Sequence, residues 1–152
     1  MAITNVYLLP ESQFIIEFDD KAPAVGSGNF ALLEGVQAWL DTPNSPVPAS
    51  PITAAHQAAA RAYQKSVVRS GKRKEISLIF SNVDPIEFAA FFSGDSTLTQ
   101  GDNNYTVNTI LTDINTEVTT VDAAIDLETD IPTIFNLFYT PQHPELNGGT
   151  LS

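Results

Sequence analysis

The sequence predicts a single α+β domain: an antiparallel-rich sheet of about six strands packed with two or three helices. Three observations lead there. Apolar residues alternate at period two near both ends of the chain, the pattern of strands. An Ala-rich stretch after Ser50-Pro51 carries a helix start, with Ser as N-cap and Pro where a missing N–H costs nothing. The chain has 152 residues, 43% hydrophobic and only 16% charged, which is the composition of a globular protein and not a disordered one. A chain of this length buries about 68–70% of its unfolded surface, so a core can form without a disulfide or metal.

The elements follow in order. Residues 2–9 alternate two largely apolar or β-branched sets, as in a strand covered on both faces. Pro10-Glu11-Ser12 breaks that strand, and Gln13 to Asp19 alternates again with Phe14, Ile16 and Phe18 on one side, so the pair reads as an N-terminal hairpin. Asp20 to Gly28 reads as loop. Residues 29–41 fit a helical face (Phe30, Leu33, Val36, Leu40, with Trp39 beside them), or two strands turning at Glu34-Gly35; both readings stay open. Residues 42–50 hold Pro43, Pro46 and Pro48 and form an extended connector.

The helix from Ser50-Pro51 is expected to run to about Ser70, with Gly71 beyond its end, or to stop near Lys65 with a strand over 66–69. Lys74 to Ser81 reads as a strand, with Ile76, Leu78 and Phe80 on one face. Asp84-Pro85-Ile86-Glu87 is close to a capping box opening a short helix to Ser93, with Phe88, Phe91 and Phe92 inward. Residues 93–104 are a polar loop. From Tyr105 to Leu127 the texture is β, with a turn near Asp113 to Thr116, and Thr133 to Thr140 reads as a last strand. Together these predict a C-terminal β-meander. The domain is expected to cover 1–139, and 140–152 to be an extended tail ordered by neighbouring chains or by folding back.

The charge map is the most informative feature. Seven Lys and Arg face 18 Asp and Glu, a net charge of -11. Apart from Lys21, every cation lies within 61–74: Arg61, Lys65, Arg69, Lys72, Arg73 and Lys74. From Glu75 onward there is no cation, and Asp122, Asp126 and Glu128 alternate with apolar residues, so a strand there would line carboxylates along one face. Arg61, Lys65 and Arg69 stand four apart, and like charges at that spacing repel within a helix. An outside partner is therefore expected. A basic ridge and an acidic strand on different faces suit head-to-tail contact between copies, which closes into rings or continues as tubes and lattices. The same residues could also pair within the chain as an ordinary solvated surface.

Chemistry is sparse. With no cysteine, thiolate zinc sites, disulfides and cysteine nucleophiles are excluded. His56 and His143 have no metal-ligand spacing, and no G-x-S-x-G elbow marks a nucleophile. Asp95, Asp102, Asn103 and Asn104 could surround calcium, but the EF-hand order is absent and a polar loop has the same composition. Gly26-Ser27-Gly28 and Gly148-Gly149 lack a phosphate-binding frame. No catalytic residue, metal or cofactor is assigned. The acidic charge opposes a nucleic-acid partner, except through the one basic segment. The first residues lack the cationic start of a secretory signal, and apolar runs such as Ile131 to Tyr139 fall short of the roughly 20 residues of a membrane span. No membrane partner is expected.

These traits favour a structural subunit over an enzyme: few charges, Thr/Ala/Asn-rich strands, segregated charge and no catalytic constellation. The expectation is a homo-oligomeric virion protein of a tailed bacteriophage, of tail-tube, terminator or capsid-accessory type, assembled in the host cytoplasm beside other virion proteins. The alternative is a small soluble enzyme or ligand-binding domain with a loop-built site, for which Asp95, Asp102 and His143 are the first candidates.

Overall fold

The computed structural model describes residues 2–9, 13–27, 39, 47–48, 53–87 and 95–152. The fold is α+β. Its strands fall into two sheets instead of one, and the chain gathers into two compact units. The first comprises Met1–Gln64 and Leu127–Asn136; the second comprises Lys65–Asp126 and Leu137–Ser152.

In the first unit, β1 (Ile3–Leu9) and β2 (Gln13–Phe18) form the expected N-terminal hairpin, with Val6 opposite Ile16 and Leu8 opposite Phe14. A strand not anticipated in the 20–28 loop, β3 (Ala24–Ser27), pairs with β2, and the two-residue β4 (Val47–Pro48) runs parallel to β1. One face of the hairpin packs Val6, Phe14 and Ile16 with Trp39. The other face carries Tyr7, Ile15 and Glu17 by strand alternation, and the His56 ring lies 4.8 Å from that of Tyr7. Both faces are covered, so Phe14, Ile15 and Ile16 are all buried. Of residues 29–41, read as helix or hairpin, only Trp39 is described, and it is helical; of the proline connector only β4 is described.

Helix α1 runs Ala54–Ile79, through the positions read as a cap at Gly71 and a strand from Lys74 to Ser81. The start expected at Ser50-Pro51 lies outside the described residues. Thr53 serves as cap instead: its Oγ1 accepts the His56 N–H (3.2 Å), and its own N–H donates to His56 Nδ1 (3.3 Å). That is a capping box with histidine in the usual place of Glu. The strand reading failed because α1 buries polar residues. Its inward positions are His56, Ala60, Gln64, Val68, Glu75 and Ile79, a helical spacing that hydropathy alone does not reveal.

In the second unit, β5 (Thr97–Gln100) and β6 (Asn103–Thr106) form a hairpin in the segment read as polar loop. Gly101 has φ +59° at its turn, as tight hairpin turns require. The expected C-terminal β-meander is absent. Beyond β6, residues Val107–Leu127 are helix α2. Val107, Ile110, Ile114 and Ile125 supply its buried stripe. Thr116, Thr119 and Thr120 turn their hydroxyls onto carbonyls four residues back, so β-branched threonines are accommodated in the helix.

The last expected strand, 133–140, is also absent. In the first unit, α3 (Ile131–Ile134) takes Asp130 as N-cap, whose carboxylate accepts from Thr133 N at 3.1 Å, with Pro132 in its first turn. Residues 137–152 then form a strap in the second unit. It contains a 3₁₀ turn (Pro144–Leu146) and β7 (Thr150–Leu151), which pairs antiparallel with β5. The tail is therefore ordered by its own unit. No helix among the described residues is long and apolar enough to cross a membrane.

Candidate functional site

On the second half of α1, Gly71, Lys74, Glu75 and Leu78 stand at positions i, i+3, i+4 and i+7 and so share one face. The strap crosses that face. Tyr139 lies so close to Gly71 that a Cβ there would sit 3.0 Å from Tyr139 Cβ. Glu75 anchors the crossing. It is 3% exposed; Oε1 accepts the N–H groups of Gln142 (2.7 Å) and His143 (2.6 Å), while Oε2 accepts the Tyr139 hydroxyl. Glu117 takes the Thr140 N–H at 3.1 Å, and the Leu78 carbonyl takes the Gly148 N–H at 2.9 Å. Burial, with the adjoining Glu75 and Glu117 carboxylates, pushes the Tyr139 phenol well above its ordinary value. The hydroxyl is a fixed donor and offers neither a base nor a nucleophile at neutral pH.

Between the α1 face and the strap lies a cavity of about 350 Å³, lined by Lys74, Leu78, Tyr139, Pro141 and Pro144 among others. Its walls are mainly apolar; Lys74 brings the one cation and Glu75 the one carboxylate, which is engaged by its three donors. Leu78 is 44% exposed beside it. This arrangement can bind an apolar group that carries negative charge.

His143, itself part of the strap, is buried, its Nε2 2.8 Å from Asp113 Oδ2 and its Nδ1 3.1 Å from Glu145 Oε1, with the Tyr105 ring 4.8 Å away. Both contacts are hydrogen bonds when the ring carries two protons; in a neutral ring one carboxylate faces an unprotonated nitrogen. His56, near the start of α1, is buried as well. Its Nδ1 accepts from Thr53 N, so its Nε2 is the donor to Glu17 Oε1 at 2.6 Å. Neither Asp95 nor Asp102 is among the hydrogen-bond partners of His143, so the three suspects for a loop-built site are not brought together as a hydrogen-bonded group. Among the described residues no three His, Cys, Asp or Glu side chains gather as metal ligands.

The nine residues read as a subunit interface resolve differently. Lys65 pairs with Asp126 at 2.6 Å. Arg69 grips Asp122 with two hydrogen bonds, 3.2 and 2.8 Å, which hold its pKa up. Arg61 donates twice to the Glu128 carbonyl, at 3.0 and 2.6 Å, and Lys72 donates to Asn115 Oδ1 at 2.8 Å. The inference that Arg61, Lys65 and Arg69 wait for acids of another copy is thereby overturned. Asp122 and Asp126 are four apart on a helix, as Lys65 and Arg69 are, and the two ladders match within the second unit. Only Arg73 and Lys74 remain exposed with no partner among the described residues. Glu75, Tyr139, Leu78 and Pro141 escaped the sequence reading, because a strand over 74–81 and another over 133–140 would have separated them. No protein-family model, curated protein or solved structure matches the chain.

Proposed function

We propose that the chain is an assembly subunit that associates with copies of itself through the cationic, apolar face at the second half of α1. One observation carries this reading. Lys74 stands unmatched at a mainly apolar cavity beside the half-exposed Leu78, with Arg73 exposed next to it in sequence, on a chain whose net charge is -11. A lysine at the edge of an apolar hollow favours an acidic, apolar partner, and this chain is itself strongly acidic. The bacteriophage setting has less support. The Thr-rich segment, strand-like in sequence, is largely helix, and the tail is ordered within its own unit. A tailed-phage virion stays part of the proposal as a setting only, to be tested by mass spectrometry of purified particles.

The test is multi-angle scattering near 0.15 M salt across a concentration series. Arg73→Ala with Lys74→Ala should return the protein to its 16.4 kDa monomer. Lys65→Ala with Arg69→Ala removes the same two positive charges and should leave association intact. A wild-type monomer at every concentration, or equal loss in both variants, would overturn the reading. A second reading, a binder of small apolar acids, is favoured by the size of the cavity, which lies within the usual ligand range of roughly 300–1,000 Å³. Calorimetric titration with octanoate, with Lys74→Ala as control, separates it from self-association.

A further inference from the structure

We propose that His143 is a proton-operated latch: with two protons its ring ties the strap to α2, and loss of one proton loosens the strap over the cavity. The latch stands whether or not copies associate. Four elements surround the residue. Asp113 faces its Nε2 from α2 at 2.8 Å, and Glu145 faces its Nδ1 from the 3₁₀ turn at 3.1 Å. The Tyr105 ring of β6 packs 4.8 Å away, and from α1 Glu75 accepts the His143 backbone N–H at 2.6 Å. Among the described residues no Lys or Arg is a hydrogen-bond partner of His143. Three carboxylates therefore converge on a residue that is only 5% exposed.

A neutral imidazole carries one N–H and an imidazolium two. Only the imidazolium can donate to Asp113 and Glu145 together. A neutral ring turns a lone pair toward one of them, and in a buried place that repulsion is poorly screened. The two acid side chains are 45% and 35% exposed, so the refused carboxylate can swing into solvent and the contact opens. His56 is built the other way. Its Nδ1 accepts the Thr53 N–H and its Nε2 donates to Glu17, so one proton satisfies both ring nitrogens. The ring that needs two protons is the one on the strap. What it holds is the cavity wall: Pro141, Pro144 and Asn147 of the strap line the cavity, and Pro144 lies between His143 and Glu145. With two histidines and no cysteine, the chain has few other side chains that ordinarily change charge between about pH 5 and 8.

Nitrogen NMR of the imidazole rings, with amide exchange corrected for its own base catalysis, tests this on the full chain from about pH 5 to 9. The His143 ring should carry two protons at the acid end and one at the alkaline end. Through the same midpoint, protection of the Gly148 N–H, which donates to the Leu78 carbonyl, should fall about tenfold. That is the loss of one charge-assisted hydrogen bond, discounted for the half-exposed acids. Protection of the Ile110 N–H, in the buried stripe of α2, should hold. Asp113→Asn is the decisive variant. Its amide can donate to a bare Nε2 while Nδ1–H serves Glu145, so one proton satisfies the ring and the pH response of the strap should vanish. Glu17→Gln, which touches the other histidine, should keep the wild-type response. A His143 proton count that does not change over this range would overturn the latch, as would level protection of Gly148 while the ring titrates. So would an equal fall at Ile110, a wild-type response in Asp113→Asn, or a response abolished by Glu17→Gln.

Discussion

Replacing Glu75 should loosen the strap more than any other single change in the second unit. The carboxylate is buried and satisfies three donors: the Tyr139 hydroxyl and the N–H groups of Gln142 and His143. Glu75→Leu leaves all three without an acceptor. Each unsatisfied buried donor costs about 1–3 kcal/mol, or roughly 3–9 kcal/mol together. Two effects reduce this. The adjoining cavity admits water to part of the site, and a buried leucine contributes about 1.5–3 kcal/mol of its own. A net loss of about 3 kcal/mol is the working figure. At an m-value of about 1.5 kcal/mol/M the urea midpoint should fall by about 2 M. Glu75→Gln gives the sharper comparison. Its carbonyl can keep both backbone N–H groups, and its amide can donate to a Tyr139 hydroxyl that now accepts. Only the charge-assisted strength is lost, about 1–2 kcal/mol. Urea unfolding followed by tyrosine fluorescence, with amide exchange read at Gln142 and His143, measures both variants. A Leu variant within about 0.3 M of wild type, or a Gln variant as damaging as Leu, would refute the view that Glu75 fastens the strap.

Two further outcomes follow from the same region. Because burial and Glu75 raise the Tyr139 pKa above the ordinary value of 10.0, its contribution to stability is whole below that pH and is lost as pH rises toward the folded value. Urea midpoints should thus fall above about pH 10, Tyr139→Phe should flatten that fall, and absorbance titration should show one tyrosine ionising later than the rest. Gly71→Ala should destabilise: the helix gains up to about 1 kcal/mol in propensity, but the new methyl meets the Tyr139 Cβ at 3.0 Å, an overpacking cost of about 1–3 kcal/mol. Thermal melts that show a gain in stability would mean the strap yields freely there.

The N-terminal hairpin was legible because both its signals are local: two alternating runs and a proline break between them. The helices were harder for an identifiable reason. In α1 the inward stripe includes His56, Gln64 and Glu75, so periodicity in hydropathy fades where the helix is in fact well packed. Gly71 imitates a helix end, yet its missing side chain makes room for Tyr139. In α2 the run of Thr and Val has the texture of a strand, and only the positions Ile110, Ile114 and Ile125 preserve the helical period. The candidate site suffered from both errors at once, since it needs α1 to continue past Gly71 and the strap to return across it. One clue was present. Lys65 and Arg69 are spaced four apart, and so are Asp122 and Asp126, which is what two facing helices would require.

That ladder changes what a net charge of -11 implies. Eighteen carboxylates against seven cations suggest many acids in search of a partner, but here acids often serve as acceptors for the chain's own N–H groups. Glu75 and Glu117 hold the strap, Glu128 and Asp130 shape the turn into α3, and Asp19, whose pKa is lowered chiefly by the Ala2 N–H, ties down the start of β1. An acid bonded to a backbone N–H keeps its charge, so the copies still repel at long range. The proposed association through Lys74 and an apolar cavity would have to work against that repulsion. Salt therefore acts in two directions. Raising it from very low values screens the repulsion between whole molecules and favours contact, whereas near 1 M the Debye length falls to about 3 Å and the charged rim loses its hold. Self-association should be strongest between these limits, and a steady decline from the lowest salt would mean that charge, not the apolar cavity, dominates the contact.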